Sequence, residues 1–273
     1  MRTEQRRKRK KYTEKDLTIV ICAYKECSAL EKCIQAIMGQ TKKPHIMIST
    51  STPNEYIHAL AEQYGLKVYI NKDGGHVKDY NFAMEHIRTR LGMLAHQDDI
   101  LHEKFVERNL EELNRAKHPI LAFSNYLEMH DNIIDKRPST MIRIKRLLTW
   151  PARIPTFRRT VAAKRLLQCF GNPITHPTVV CVMEEMPKQC FRERFRAAMD
   201  WDLWERLSQK KGEFVYVKDV LLYHRMNKEN ATAVLLESSN VRFEEEYKIL
   251  CRFWPKPMAS FLMRFYSKSA KYY

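Results

Sequence analysis

From residue 17 to residue 124 the sequence alternates between short, uninterrupted apolar runs and stretches whose apolar residues recur at helical spacing. The runs are 17–22 (LTIVIC), 45–49 (HIMIS), 67–70 (KVYI), 91–95 (LGMLA) and 120–124 (ILAFS). A run that is apolar on successive residues has no polar face, so its strand is covered on both sides, as in a parallel sheet flanked by helices. Between the runs, Leu30, Cys33, Ile34, Ile37 and Met38 repeat at helical spacing, with Ser28 and Glu31 ahead of them at capping-box spacing. Thr52 reads as the cap of a second helix, with Pro53 and Glu55 in its first turn and its end near Gly65. Asp73-Gly74-Gly75 turns the chain into a third helix through Tyr80, Met84 and Ile87, and a fourth covers about 103–116. Such alternation predicts right-handed strand–helix–strand crossovers. Beyond Asp135 the pattern changes to helices at 141–150 and 156–170, a strand at 178–183 and a helix at 200–209. Two short strands at 214–217 and 220–224 and a long helical tail complete the reading.

The 273 residues suit one α/β domain with a C-terminal elaboration, and an apolar fraction of 44% excludes a disordered chain. No apolar run approaches the roughly 18 residues needed to span a bilayer. Residues 1–16 are a basic stretch with no apolar segment behind it, so they read as a disordered arm and not as a secretory signal. The 7 cysteines are odd in number and form no C-x-x-C pair, which argues against a disulfide framework or a zinc site and for a cytoplasmic location. The formal net charge is +16, and no Asp or Glu occurs from Lys136 to Met183. Such a field attracts nucleic acid, anionic lipid head groups or a phosphorylated substrate. No DNA- or RNA-binding motif is recognisable, the dinucleotide and P-loop glycine patterns are absent, and nucleic acid is not an expected partner.

Three features carry chemistry. Asp98 and Asp99 follow an apolar strand, at the sheet edge where open α/β folds bind ligands, and two adjacent carboxylates there call for a cation. A solvated helix cap is the alternative for the pair. In residues 199–207 (MDWDLWERL) Trp201, Leu203, Trp204 and Leu207 form an apolar stripe with Asp200 at the helix start; taken alone, this reads better as a capped core helix than as a site. His224 and Arg225 close a strand, where they suit a metal or a diphosphate, although a lone His and Arg on a loop usually bind neither.

In this order and spacing the features resemble the family 2 glycosyltransferases, whose nucleotide-sugar-binding fold is called GT-A. The resemblance runs from residues 18–26 (TIVICAYKE) through Gln40-Thr41, Asn81 and Ala83, the HQDD segment at 96–99 and the Asp200 helix, over roughly 17–232. It implies an α/β fold with a mainly parallel central sheet flanked by helices, spanning 17–232, and a helical basic extension over 233–273. It implies inverting transfer from a nucleotide-sugar donor to a hydroxyl of a glycan or lipid-linked acceptor. Asp98, Asp99 and His224 would hold Mg2+ or Mn2+, and Asp200 would be the general base with Asp202 as runner-up. Substrate contacts are expected from Tyr24, Glu26, Ser49, Asn81, Asp98, Trp201, Asp202 and Arg225. Cys22 and Lys25 stand where the family usually has Pro and Asn, and residues 49–52 (STST) lack its nucleoside-binding Asp. His96 replaces the first acid of the metal motif and reads as a strand-end residue, with an outer partner of the site as the alternative. An inactive scaffold or a basic nucleic-acid- or membrane-binding protein are the competing readings. Between Arg143 and Arg165, cations interleave with Ile144, Leu147, Leu148, Trp150, Ile154 and Phe157, as in an interfacial membrane element or an acceptor-phosphate site. Met258, Phe261, Leu262 and Phe265 share a helical face that packs on the domain or on an anionic membrane surface.

Overall fold

The computed structural model describes residues 10–130, 132–226 and 240–269. Strand–helix units open the chain: β1 (Leu17–Ala23), α1 (Leu30–Met38), β2 (His45–Thr50), α2 (Glu55–Gln63), β3 (Lys67–Ile70), α3 (His76–Glu85) and β4 (Leu91–His96). They continue with β5 (Ile100–Leu101), α4 (Phe105–Arg115), β6 (Pro119–His130) and β7 (Ile133–Ile134). Then follow α5 (Thr140–Leu148), α6 (Trp150–Arg153), α7 (Val161–Leu166), β8 (Val179–Val182), α8 (Met199–Ser208) and β9 (Glu213–Arg225). The C-terminal helices are α9 (Asn240–Leu250) and α10 (Lys256–Ser269). Among the described residues, no helix is long and apolar enough to cross a membrane.

One sheet carries the strands in the order β3-β2-β1-β4-β8-β6-β9-β5, with β7 paired to β6. The pairs β1–β2, β1–β4, β2–β3 and β6–β9 are parallel, while β8 runs antiparallel to β4 and β6, and β5 antiparallel to β9. The architecture is the mainly parallel, helix-flanked sheet that the alternation predicts. Successive residues of β1 serve opposite faces. Ile19 and Ile21 pack with Leu30, Ile34, Ile37, Phe105 and Leu113. Val20 packs on the other face with Val77, Ala83, Trp201, Trp204 and Ile249. Both cores need the uninterrupted apolar runs, which explains why those runs were legible.

Local details depart from expectation. The second helix is capped by Asn54, whose side chain accepts from the Ile57 N–H; the Thr52 hydroxyl accepts instead from the Lys25 N–H. At α1 no side-chain cap forms, and Glu31 takes the Tyr64 hydroxyl at 2.8 Å. The two strands expected at 214–217 and 220–224 are one strand, β9, with a bulge: Ser124 pairs with Val217 and Asn125 with Val220, and Asn125 Nδ2 donates to the skipped Lys218 carbonyl. The helix expected over 156–170 is broken because Thr160 is extended and caps α7 through the Ala163 N–H. The expected disordered arm over 1–16 is docked where it is described: Tyr12 is buried and the Asn114 side chain pairs with both its backbone N–H and carbonyl. Residues 1–9 and the boundary at 232 lie outside the described residues. On α10 the packing face holds Ala259, Leu262 and Met263, while Met258 and Phe261 face outward; the side chain of Phe265 lies outside the described set.

Candidate active site

The site starts where β4 ends. Gln97 clamps the backbone of Tyr24 in both directions, accepting from its N–H at 2.9 Å and donating to its carbonyl at 3.0 Å, which ties the 96–99 turn to the end of β1. Pairing of β9 with β5 returns the end of β9 to the same turn. Asp99, 2% exposed, therefore meets two groups more than a hundred residues away: its Oδ1 accepts from His224 Nδ1 at 2.8 Å and from the Arg225 N–H at 3.0 Å. Its Oδ2 lies 3.6 Å from His96 Nδ1 and has no hydrogen-bond partner among the described residues. Arg225 donates through Nε to the Asp98 carbonyl and through Nη1 to Asn132, so it braces the turn.

His96, Asp99 and His224 each present a ligand atom, all within 4.8 Å of one another. The orphaned, buried Asp99 oxygen is costly unless something electropositive meets it, and a divalent cation fits that need. With its Nδ1 on Asp99, His224 keeps Nε2 for such a cation. Burial pulls the His96 pKa down to about 4, which keeps the imidazole neutral and able to ligate. Burial also pulls on His224, but the charge and hydrogen bond of Asp99, with Asp98, outweigh it and raise its pKa. Burial and the neighbouring Asp99 push Asp98 up to about 6. Burial acts upward on Asp99 too, yet His224, His96 and the Arg225 N–H prevail and lower its pKa. Asp98 adjoins the three-residue cluster without being a member of it, and His96, which reads from sequence as a strand-end residue, is one.

Behind the cluster stands a cage of rings. Tyr80 lies edge-on to His96 at 6.1 Å and to Phe191 at 5.7 Å, and tilts against His176 at 5.1 Å. His176 in turn touches His96 and Trp204. Burial drives the His176 pKa well below its ordinary value. Burial also drives the Tyr80 phenol well above its ordinary value, with further pushes from Cys22, Asp98, Asp99 and Asp200. The ring contacts thus link His96, beside the acidic pair, to Trp204 on the helix that carries Asp200. His176 was missed from sequence; its only signal is the apolar strand that follows it.

Asp200 occupies the first turn of α8. Its Oδ1 accepts from the Trp201 N–H at 2.7 Å and its Oδ2 from Asn172 Nδ2 at 2.9 Å. Burial raises its pKa against those bonds and against the charges of Lys145 and Arg242. The approach to α8 is held from outside the helix: Glu245 of α9, 3% exposed, accepts from the Arg196, Ala197 and Ala198 N–H groups at 2.8–3.0 Å. Three successive N–H groups converging on one carboxylate form an anion nest.

The other sequence candidates are placed as follows. Asp202 is fully buried and held by Arg252 at 2.6 Å, Arg206 at 3.0 Å and Arg192 at 3.7 Å. It lies about 200° around the helix from Asp200, so it faces the C-terminal helices and not the cleft. Trp201 is 1% exposed in the core, which removes its ring from substrate contact. Asn81 donates to the Phe191 carbonyl and accepts from the Phe191 N–H, at 2.7 and 2.8 Å, and so pins the segment ahead of α8. Ser49 is buried on β2. Tyr24 is 52% exposed and Glu26 is exposed beside it, at the rim. Residues 49–52 lack a carboxylate, but Asp79 of α3 lies against them, accepting from Ser51 Oγ and Asn71 Nδ2, each at 2.7 Å. Lys145 of α5 points inward, 3.2 Å from the Tyr126 hydroxyl and 3.4 Å from Thr175 Oγ1, and its charge acts on both Asp200 and His224.

Comparison with known proteins bears on the family and the fold. The sequence profile described as Glycosyl transferase family 2 matches residues 18–174. No curated protein sequence gives a significant match. Among solved structures, S. aureus TarS 1-349 in complex with UDP-GlcNAc superposes with a TM-score of 0.63 at 11% identity, over 90% of this chain and 70% of that one. Against the longer S. aureus TarS structure the match spans 42% of that chain. Glucosyl-3-phosphoglycerate synthase from Mycobacterium tuberculosis, in complex with Mn2+, UDP and glucosyl-3-phosphoglycerate, gives a TM-score of 0.53 at 15% identity, over 86% and 79% of the two chains. At these identities the likeness is one of fold.

Proposed function

The chain belongs to the family 2 glycosyltransferases, and on that footing we propose that it transfers a sugar with inversion from a nucleotide-sugar donor to a hydroxyl of a glycan or lipid-linked acceptor. One observation supports the reading above others: ring contacts run unbroken from His96 of the cation cluster through Tyr80 and His176 to Trp204, one turn along α8 from the half-buried Asp200. Asp99, His224 and His96 would hold the cation, with Asp98 beside them. When bound, a divalent metal neutralises the charge that develops on the departing diphosphate. Two imidazoles with one carboxylate favour Mn2+ over Mg2+, which prefers oxygen ligands.

The chain's own residues do the rest. Asp200 accepts the proton of the attacking hydroxyl; Asn172 and the Trp201 N–H fix its carboxylate, and burial strengthens its hold on a proton. Asp202 cannot stand in for it, being committed to arginines. Tyr80, His176 and Phe191 keep water from the floor of the cleft. Asp79, held by Ser51 and Asn71 at the ends of β2 and β3, offers a carboxylate to the donor's nucleoside hydroxyls. Lys145, held by the Tyr126 and Thr175 hydroxyls, suits an acceptor that carries an anionic group.

UDP-GlcNAc and UDP-glucose, the donors named for the structural neighbours, are the first to test. The deciding experiment is thermal stabilisation by UDP with and without Mn2+, together with hydrolysis of a sugar-nucleotide panel. Stabilisation should need the metal and vanish in Asp99→Ala, while Asp200→Ala should keep it and stop turnover. Metal-independent stabilisation, or full turnover by Asp200→Ala, would overturn the reading.

A further inference from the structure

The helix that brings Lys145 to the reaction centre carries, on its other side, the most exposed apolar stripe of the described C-terminal half. Ile142, Lys145 and Thr149 face the body of the protein: Ile142 is 1% exposed and Thr149 3%, and Lys145 reaches Tyr126 and Thr175. Ile144 and Leu147, one turn apart on the opposite side of α5, are 48% and 70% exposed. Trp150 and Ile154 continue the stripe along α6 at 45% and 43%. A surface helix ordinarily turns its polar side to water, and this one presents leucine, isoleucine and tryptophan there.

The charge around the stripe has one sign. No acid occurs from Lys136 to Met183, and ten basic residues lie between Lys136 and Arg165. Arg158 and Arg165 are neutralised by Glu213 and Glu205. Arg143 and Arg153, both exposed, have no acidic partner within salt-bridge distance among the described residues and donate to neutral oxygens of Pro138, Arg146 and Thr149, while Arg146 turns inward to the Tyr126 carbonyl. Lys136 and Arg137 are exposed just ahead of α5. An apolar stripe with an indole, set among cations that no acid balances, is the pattern that inserts into the head-group region of an anionic bilayer. A symmetric second copy would bring these cations against one another. A nucleic acid would satisfy the cations but leave Leu147 in water.

We propose that the outer face of α5 and α6 docks on an anionic lipid bilayer. The same helix then holds the cleft, through Lys145, at the membrane surface, where an acceptor with a lipid anchor presents its hydroxyl to Asp200. That last step rests on the glycosyltransferase reading above; the docking does not.

The test is co-sedimentation of the full chain with vesicles of phosphatidylcholine alone and of phosphatidylcholine with phosphatidylglycerol. Binding should be confined to the anionic vesicles and fall with salt. It should weaken about fivefold when Arg143→Ala removes one cation, and be lost in Ile144→Glu/Leu147→Glu. These surface variants should keep the wild-type melting temperature and the UDP–Mn2+ shift, so misfolding and loss of donor binding are read separately. Equal binding to both vesicle types, binding to neither, or full binding by the double variant would overturn the proposal. So would concentration-dependent dimerisation abolished by Leu147→Glu in a chain that ignores vesicles, or RNA binding that does the same. Absence of the UDP–Mn2+ shift in wild type, with vesicle binding intact, would instead sink the donor reading alone.

Discussion

Glu245→Ala should damage both stability and turnover, because one carboxylate on α9 fixes the start of the helix that carries Asp200. In the folded chain it accepts from the N–H groups of residues 196, 197 and 198 at 2.8–3.0 Å, with 3% of its surface exposed. Removing it strands three N–H groups, that of Ala198 buried and those of Arg196 and Ala197 partly so. An unsatisfied buried donor costs about 1–3 kcal/mol, and water entering the vacated space recovers part of that. The expected loss is therefore about 3–5 kcal/mol, similar to removing one partner of a buried charged pair. At about 2–4 °C per kcal/mol for a chain of this size, the melting temperature should drop by roughly 10 °C. The segment ahead of α8 then relaxes, and a shift of about 1 Å at a reacting group costs on the order of a hundredfold in rate. Differential scanning fluorimetry and steady-state kinetics at a temperature where the variant is folded would measure the two effects. We expect kcat to fall and the donor KM to stay near wild type, since the cluster of His96, Asp99 and His224 lies on other elements. Glu245→Gln keeps one accepting oxygen and should recover most of both losses. A melting temperature within 2 °C of wild type, or a kcat unchanged in Glu245→Ala, would refute the idea that α9 positions the base.

Asp200→Asn should lower kcat by about 10²–10⁴-fold while leaving the UDP–Mn2+ thermal shift in place; loss of both together would assign Asp200 to donor binding. Because burial raises the Asp200 pKa and the base must be ionised, activity should fall with decreasing pH at a point above the ordinary aspartate value. A pH–rate profile flat through that region would exclude Asp200 as the titrating base. His96→Ala should weaken Mn2+ binding by tenfold or so and erase the preference for Mn2+ over Mg2+, read by isothermal titration; unchanged selectivity would remove His96 from the ligand set. Lys164, buried with its Nζ on the Lys210 and Gly212 carbonyls, is pulled down by burial to about 8. Its folded pKa lies below its unfolded value, so between them the unfolded chain binds more protons and stability rises with pH. Urea midpoints should therefore increase from about pH 8 towards the ordinary lysine value, and Lys164→Met should flatten that slope.

Much of the N-terminal half was readable because its determinants are local. The KVYI run is β3 without a residue's error, and LTIVIC, HIMIS and LGMLA differ from β1, β2 and β4 by one residue at one end. LTIVIC and LGMLA are apolar runs covered on both faces by helices close in sequence, while KVYI, at the sheet edge, stays partly exposed. Boundaries set by competition were less legible. Asn54 displaced Thr52 as a cap because the Thr52 hydroxyl had a better-placed donor in Lys25. The bulge that joins two expected strands into β9 depends on pairing with β6, about ninety residues earlier.

The linear order of residues already determined the layered α/β fold, its parallel start, and the place of the acidic pair and Asp200 on it, since periodicity and strand ends are properties of neighbouring residues. Only the tertiary structure decided that His96 and His224, 128 positions apart, meet across Asp99, and that Asp202 turns into an arginine cage. It also decided that Asp79 of α3 meets Ser51 at the end of β2 and that Glu245 anchors the approach to α8. Those meetings arise from strand pairing and helix packing between distant segments, and no spacing along the chain encodes which side chains such packing brings within bonding distance.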